Sequence, residues 1–564
     1  MPSARATARN VLVLAGYLAI SYAYFGAPLG LHPGRDLVGY GRDLQLFVWD
    51  LAWWPHAVLS WQNPFVSHAI YAPSGINLAW VGSVPAIAFA FAPVTLSFGP
   101  AVSFNVAEIA MPALASFAAY LLCRHLTRST WASVAGGYLY GFSSYMLAAE
   151  LGHLHLSSVF LLPLIALVVV RYLEGDVGGS GLAWRLGVLY GLQFWISTEV
   201  CASAALMLAL ALVLAYATVP ALRLRLRALV APLAGAVAVG AAVAGPLLAY
   251  ALTEFQSTSI VRPASADGDL LNVLLPTRLL AVGRLFEATS ERFYSDLPDQ
   301  GLALGFPALL IVLWFAFGAR RSAAKRFLVL ALVLGVVLAL GTSLYVGGDR
   351  KVTLPWSYVA RLPVFDNLLP ARFSVYVALV GAVIVALWTA ERRGWAARVL
   401  PALAAVALLP ALWNVPYRFH PERWQFFTRG EYKCIPRGEN IAIFPFGVYG
   451  YSTLWQAETD FWFRMPDGYL RPRPPAASLA DPTIRYISDT GNDPSVAQIV
   501  ELVQRERVDR VISIEIYAHP NGTEMHRFGV LSNYAGVLLA PTCGYRSLRF
   551  GIHPTPPHPA HRAP

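Results

Sequence analysis

Long apolar runs separated by short polar stretches fill the first 414 residues of the chain. An α-helix needs about 20 mostly apolar residues to cross the hydrocarbon core of a bilayer. Eleven runs come near this length, and we predict a transmembrane helix in each. They cover residues 11–28, 101–123, 131–148, 156–172, 184–198, 200–219, 228–251, 301–318, 326–346, 372–390 and 398–414.

One further apolar run, VGSVPAIAFAFAPVTLSF at 81–98, is not predicted to span. Pro85 and Pro93 interrupt it, and each removes a helical hydrogen bond. We predict a re-entrant or surface-lying segment within a first outer loop at 29–100. An alternative interpretation of the first run, residues 11–28, is a signal peptide, because Ser21-Tyr22-Ala23 resembles a cleavage site.

The basic residues predict the orientation of these helices. With the N-terminus inside and eleven spans, arginines and lysines concentrate in the inside loops, as the positive-inside rule requires. The net charge of +10 is therefore an orientation signal, and no nucleic-acid partner is predicted. Abundant arginine, alanine and glycine with few lysines is typical of a GC-rich bacterial genome. We predict a multi-pass protein of the bacterial cytoplasmic membrane with its C-terminus outside.

The composition changes after residue 414. Residues 415–550 contain charges, prolines and a strand, helix, strand pattern made by NIAIFPFG, SVAQIVELVQRERV and RVISIEI. This pattern predicts a small α/β extracytoplasmic domain. Cys434 and Cys543 fall in it, either as a disulfide or as two separate thiols. The Pro-rich tail 551–564 is predicted to be disordered.

The run GRDLQLFVWDLAWWPHAV at 41–58 places charges among tryptophans. In a helix, Asp43 and Asp50 share one face. Two carboxylates could hold Mg²⁺ or Mn²⁺, which prefer oxygen ligands; the alternative is the solvated polar face of an interfacial helix. The tryptophans suit the headgroup layer of the bilayer.

Other polar groups gather at the predicted outer ends of the helices. His153 and His155 follow Glu150 in MLAAELGHLHLSS, where they are either metal ligands or ordinary interfacial histidines. Glu199 lies in a tight outer turn. Arg372 begins a span, as a phosphate-binding fork or as a helix-end anchor.

Glu108 is the carboxylate placed well inside a predicted span, which makes it a functional candidate by default. No Walker loop, Rossmann fingerprint, His-Glu-x-x-His or Gly-x-Ser-x-Gly occurs in a supporting context. Nucleotide-driven chemistry therefore has no support in the sequence.

The chain resembles the glycosyltransferase C superfamily and, more narrowly, bacterial polytopic proteins grouped near the YfhO-like membrane proteins. The segments that carry this resemblance cover most of the chain. They are GRDLQLFVWDLAWWPHAV, NPFVSHAIYAPSGINLAW, GFSSYMLAAELGHLHL, STEV at 197–200, FDNLLPARF and WQAETDFWFRMPDGYL.

This resemblance implies transfer of a hexosyl or pentosyl unit from a polyprenyl-phosphate donor to a glycan, lipid or protein acceptor on the outer membrane face. It implies Asp43 as the catalytic acid of the first outer loop. Glu150, or His153 and His155 in its place, would be the second site, often a metal site. The chain departs from the family pattern because no adjacent acidic pair occurs at Asp43.

The glycosyltransferase hypothesis assigns further roles. Asp43 would deprotonate the acceptor hydroxyl, and Asp50 and Glu108 would have secondary roles. The residues expected to bind substrate are Gln45, Asn77, Glu199, Arg372, Trp455 and Gln456.

A second hypothesis is a non-catalytic protein that transports or scaffolds lipid-linked glycans. Transporters tend to carry inverted repeats and polar sites at the bilayer midplane. No clear repeat occurs in this sequence, and the acids gather at one face, which favours surface chemistry.

Overall fold

The computed structural model of the protein describes residues 4–253, 263–362, 365–413, 415 and 417–513, together with 541–542, 545–546 and 548–549. The chain divides into two compact units. The first comprises 1–65 and 77–421, and the second comprises 66–76 and the chain from Glu422 onward.

The first unit is helical, and each of the eleven predicted runs contains a helix. Seven helices in the described part of the chain are long and apolar enough to cross a membrane. Those at Phe306–Arg320 and Ala396–Ala407 are apolar but shorter. In chain order the helices of this unit are α1 Ala4–Ser21, α2 Leu44–Leu59, α3 Pro85–Ala90, α4 Ala92–Phe98, α5 Pro100–Thr127, α6 Thr130–Gly141, α7 Ser144–Ala149, α8 Leu154–Ser157, α9 Leu161–Glu174, α10 Gly179–Ile196, α11 Thr198–Thr218, α12 Arg223–Arg227, α13 Val230–Thr253, α14 Glu287–Ser290, α15 Phe306–Phe317, α16 Ala323–Leu340, α17 Trp356–Val359, α18 Ser374–Glu391 and α19 Ala396–Ala407.

The apolar run 81–98 forms two short helices, α3 and α4, which meet at Phe91. Each begins with a proline in its first turn, where the missing N–H has no helical partner to lose. Neither helix is long enough to cross a bilayer. The segment therefore has the short, interrupted form that its prolines predict.

Small residues bring the membrane helices close together. A Cβ at Gly137 would lie 2.6 Å from the carbonyl oxygen of Ser116, and one at Gly141 would lie 2.4 Å from that of Pro112. Helix α6 can therefore pack backbone to backbone on α5, as small residues allow in membranes. Serine caps fix where several helices begin: Ser143 accepts from the Met146 N–H and Ser197 from the Val200 N–H.

The second unit combines the inserted segment 66–76 with the C-terminal chain. Ala69 accepts a backbone bond of 2.9 Å from Met465, and Tyr71 donates its hydroxyl to the Gly468 carbonyl at 3.1 Å. The sequence predicts residues 66–76 as part of the first outer loop of the membrane domain. Only the tertiary contacts of this segment show that it belongs to the second unit.

The predicted strand, helix, strand pattern is present in this unit. Ile441–Phe444 pairs in parallel with Arg510–Ser513, and a Ser495–Gln498 capping box starts the helix between them. The helices are α20 Gln425–Thr428, α21 Ser452–Glu458, α22 Pro482–Thr490 and α23 Val496–Arg505. The strands of the whole chain are β1 Val66–Ser67, β2 Ile76–Asn77, β3 Ser343–Val346, β4 Asp349–Thr353, β5 Ile441–Phe444, β6 Arg510–Ser513, β7 Pro541–Thr542, β8 Tyr545–Arg546 and β9 Leu548–Arg549.

Cys434 is disulfide-bonded, whereas Cys123 and Cys201 are free thiols. The predicted partner Cys543 and the tail 551–564 lie outside the described residues.

Candidate active site

Six polar side chains of the first unit lie in a row, which we call the charged row, made of four ion pairs and of the neighbouring rings of His153 and His155, whose centroids are 6.1 Å apart. Its members come from the turn before α2, the turn around α8, the first turn of α11, the loop before α15 and the turn before α18. They are Asp43, His153, His155, Glu199, Asp299 and Arg372.

Asp43 opens the row at the N-terminal boundary of α2. Its Oδ2 lies 3.3 Å from Nε2 of His153, and its side chain is 40% exposed, so that solvent and substrate can reach it. The two turns meet because Tyr40 donates its backbone N–H to Leu151 at 2.9 Å. Gly152 has a φ of 131°, a value that a side chain would make costly.

His155 connects the two halves of the row. Its Nε2 lies 4.0 Å from Oε2 of Glu199, and its ring stacks on Phe47 with centroids 5.3 Å apart. The Nδ1 atoms of His153 and His155 are buried without a hydrogen-bond partner. Phe47 thus fixes the plane of the His155 ring against α2.

Arg372 is held by two carboxylates. Nη1 lies 2.5 Å from Oε2 of Glu199, and Nε lies 3.3 Å from Oδ1 of Asp299. Asp299 was missed by sequence analysis, although a partly buried arginine signals the need for carboxylate partners. Its loop packs closely on α7, since a Cβ at Gly301 would lie 2.7 Å from Cα of Tyr145.

Acidic groups outnumber the arginine in the row. Asp43, Glu199 and Asp299 supply three carboxylates, against the single guanidinium of Arg372. The side chains of Glu199, Asp299 and Arg372 are less than one-fifth exposed, which strengthens these interactions relative to water.

Glu150 lies apart from the row and faces another acid. Glu150 and Glu108 are both fully buried, and Ser157 Oγ donates to Oε2 of Glu108 at 2.9 Å. Neither carboxylate oxygen of Glu150 has a hydrogen-bond partner. Burial and the charge of Glu108 raise the pKa of Glu150 well above its usual value.

Asp50 is buried within α2 and is not paired with Asp43. Its exposure is 0%, its two oxygens accept no hydrogen bond, and burial raises its pKa well above the usual range. Trp49, Trp53 and Trp54 are buried too, so the expectation that these tryptophans lie among headgroups is wrong. Helix α2 is apolar on nearly every side, a pattern typical of a buried helix.

The four remaining predicted substrate contacts occupy other surroundings. Gln45 is buried in the first turn of α2. Asn77 accepts from the Ala79 N–H and donates to the Tyr250 carbonyl at 2.9 Å. Trp455 and Gln456 belong to the second unit, where Gln456 donates to the carbonyls of Ala69 and Phe463.

The predicted metal ligands do not form a ready metal site. Within the described ranges, the one group of three histidine, cysteine, aspartate or glutamate residues with ligand atoms within 4.8 Å of one another is His125, Glu174 and Asp176. Glu150, His153 and His155 do not meet this criterion. His125, Glu174 and Asp176 lie at the ends of α5 and α9, and their two acids are exposed.

Comparison with known proteins identifies the fold. No protein-family model matches the sequence, and no curated protein matches it. Among solved structures, the chain is similar to the oligosaccharyltransferase AglB from Archaeoglobus fulgidus in complex with an inhibitory peptide and a dolichol-phosphate, with a TM-score of 0.51 and 13% identity over 89% of this chain and 69% of that one. The same enzyme in complex with zinc and sulfate has a TM-score of 0.50 and 14% identity, over 89% of this chain and 67% of that one.

A second similar structure is the arabinofuranosyltransferase AftD from mycobacteria, with a TM-score of 0.52 and 14% identity over 90% of this chain. The matched part is 35% of the AftD chain, so this chain corresponds to about a third of that protein. These likenesses show the fold and do not single out the YfhO-like group. The protein is a multi-pass membrane protein with the glycosyltransferase C fold.

Proposed function

We propose that the protein is a membrane glycosyltransferase that moves a sugar from a polyprenyl-phosphate donor to an acceptor hydroxyl. The observation that carries this proposal is the charged row, with Asp43 exposed at one end and Arg372 held at the other. AglB was solved with a dolichol-phosphate, a lipid phosphate of the same chemical class as the donor proposed here.

Asp43 is the proposed general base. As the acceptor oxygen bonds to the anomeric carbon, Asp43 takes its proton, and the bond from that carbon to the phosphate oxygen breaks. Polyprenyl phosphate leaves with the bonding electron pair. His153 Nε2, 3.3 Å from Asp43, orients the carboxylate and stabilises its charge before the transfer.

Arg372 is the proposed contact for the donor phosphate. Its ion pairs with Asp299 and Glu199 use Nε and Nη1, and the Nη2 donors stay available for a phosphate oxygen. The two carboxylates also fix the guanidinium plane, which favours a planar fork contact. A hexosyl or pentosyl unit fits this scheme equally, because no residue of the row selects the ring size.

The membrane side and the acceptor complete the proposal. We propose that the row and the second unit lie on the outer face of a bacterial cytoplasmic membrane, an orientation that the arginine-rich loops favour. Trp455 is 2% exposed and donates its indole N–H to the Glu422 carbonyl at 2.9 Å, so it supports the second unit from within, and the proposed acceptor is a glycan, lipid or protein without an assigned contact there. The predicted metal ligands Glu150, His153 and His155 do not lie close enough together to hold an ion, so no bound cation takes part in the proposed transfer.

Transfer can be measured with the full-length protein in detergent. The protein is incubated with radiolabelled polyprenyl-phosphate hexoses and pentoses and a membrane extract as acceptor, with and without EDTA. We expect labelled product and equimolar polyprenyl phosphate from at least one donor. Donor binding without turnover of any donor would instead support the transport or scaffolding role.

A further inference from the structure

The turn that ends α2 holds a tryptophan in an unfavourable conformation. Trp61 has a φ of 56°, in the left-handed region, and its side chain is 96% exposed. Its N–H donates to Val58 at 3.2 Å and the Gln62 N–H donates to Ala57 at 2.8 Å. These two bonds form a Schellman motif, in which the left-handed position usually belongs to glycine.

Neither folding nor core packing explains this tryptophan. A left-handed backbone costs a residue with a side chain about 1–2 kcal/mol, and glycine would avoid that cost. An indole that is 96% exposed gains little from the protein interior in return. Among the described residues nothing covers the indole ring, which leaves it available to an environment outside them.

The surroundings of Trp61 identify that environment as lipid. Val58 and Leu59 are 48% and 62% exposed, and no charged residue occurs from Ala57 to Ser67. Asn63 donates to the Tyr250 hydroxyl at 2.8 Å, which places this turn beside the end of the membrane helix α13. Leu252, two residues after Tyr250 in α13, is also an exposed apolar side chain.

We propose that this turn, with Trp61 as its anchor, inserts into the headgroup layer of the bilayer at the end of α13. Tryptophan is enriched at this depth because its ring is apolar and its N–H is polar. The contact holds the C-terminal end of α2 at the membrane surface, while Asp43 begins the same helix. The anchor does not depend on the proposed transfer reaction.

The depth of the turn can be measured by electron paramagnetic resonance. A nitroxide is attached at Leu59→Cys in the full-length protein in lipid nanodiscs, and its accessibility to oxygen and to a water-soluble nickel complex is compared. We expect the nitroxide at position 59 to be more accessible to oxygen than to the nickel complex, as a probe at the headgroup boundary is. A nitroxide at Asp349→Cys, on an exposed strand residue, should report water. A Leu59 probe as water-accessible as the Asp349 probe would overturn the proposal.

Trp61→Gly tests the anchor itself, since it removes the indole and relieves the backbone. The matched control is Arg507→Gly, because Arg507 has a φ of 52° just after α23, where the Val508 N–H donates to Val503 at 2.9 Å as the Gln62 N–H donates to Ala57. We expect Trp61→Gly to move the Leu59 probe toward water and to lower Tm more in nanodiscs than in detergent. Arg507→Gly should shift Tm equally in both. Equal shifts for Trp61→Gly, with an unmoved probe, would also overturn the proposal.

Discussion

Nη1 of Arg372 lies 2.5 Å from Oε2 of Glu199 and joins the turn before α18 to the first turn of α11. Nε of the same arginine reaches Asp299 at 3.3 Å. One guanidinium therefore ties three separate parts of the chain together at the proposed donor site. Its removal should change both the stability of the first unit and the binding of the donor phosphate.

Arg372→Lys should destabilise the protein although it keeps the charge. A lysine cannot present the planar fork that satisfies both carboxylates. Because these side chains are about one-fifth exposed, we expect a loss of about 2 kcal/mol, below the cost of breaking a fully buried pair. Thermal unfolding in detergent should show a lower Tm and donor titration a higher KM.

Arg361→Lys is the control for this change, because Arg361 is exposed and stacks over Tyr358. It should leave Tm and KM unchanged. Equal effects of the two substitutions would show that the Arg372 ion pairs do not stabilise the site.

Glu150→Gln should stabilise the protein above neutral pH. The carboxyl of Glu150 is buried beside Glu108 with no donor of its own, and its raised pKa makes folding take up a proton. A glutamine carries no charge and has no such cost. At pH 8 we expect the free energy of unfolding to be about 1–3 kcal/mol larger, which is measured as a higher Tm.

The double variant Glu108→Gln, Glu150→Gln measures the coupling of this acid pair. Either replacement alone removes the repulsion between the two carboxylates. The second replacement should therefore change the free energy of unfolding less than it does by itself. Additive effects, or no effect of Glu150→Gln, would contradict the pairing.

Asp467 predicts a pH dependence in the second unit. Burial raises its pKa to about 7, although the Gly447 N–H donates to Oδ2 at 2.7 Å. The folded state thus binds a proton that the unfolded chain releases near pH 4. Stability is highest below that value and declines by up to about 1.4 kcal/mol per pH unit as the pH rises toward 7.

Asp467→Asn should flatten this decline, measured as Tm of the full-length protein between pH 4.5 and 8. Asp489→Asn, at an exposed aspartate of the same unit, should keep the slope of the unsubstituted protein. Identical slopes for all three proteins would contradict the assignment to Asp467.

Seven of the predicted membrane helices, counted among the described residues, were predictable because their apolar runs approach the thickness of a bilayer, and the strand, helix, strand pattern was equally local. Contacts between distant residues were not predictable. The electrostatic influence of Glu108 on Glu150 joins α5 to the turn before α8, and Asp299 reaches Arg372 from a loop without a motif. The burial of Trp49 could have been inferred, since its helix has almost no polar face.

The central claim, that Asp43 is the general base, is tested most directly by the transfer rate of Asp43→Asn at saturating donor and acceptor. Asparagine keeps the shape of the side chain but cannot accept the proton of the acceptor hydroxyl. We predict a fall in kcat of about 10²–10⁴-fold with donor binding unchanged. Asp349→Asn, the control at an exposed strand residue, should retain full activity. A rate for Asp43→Asn equal to that of the unsubstituted protein would contradict the account.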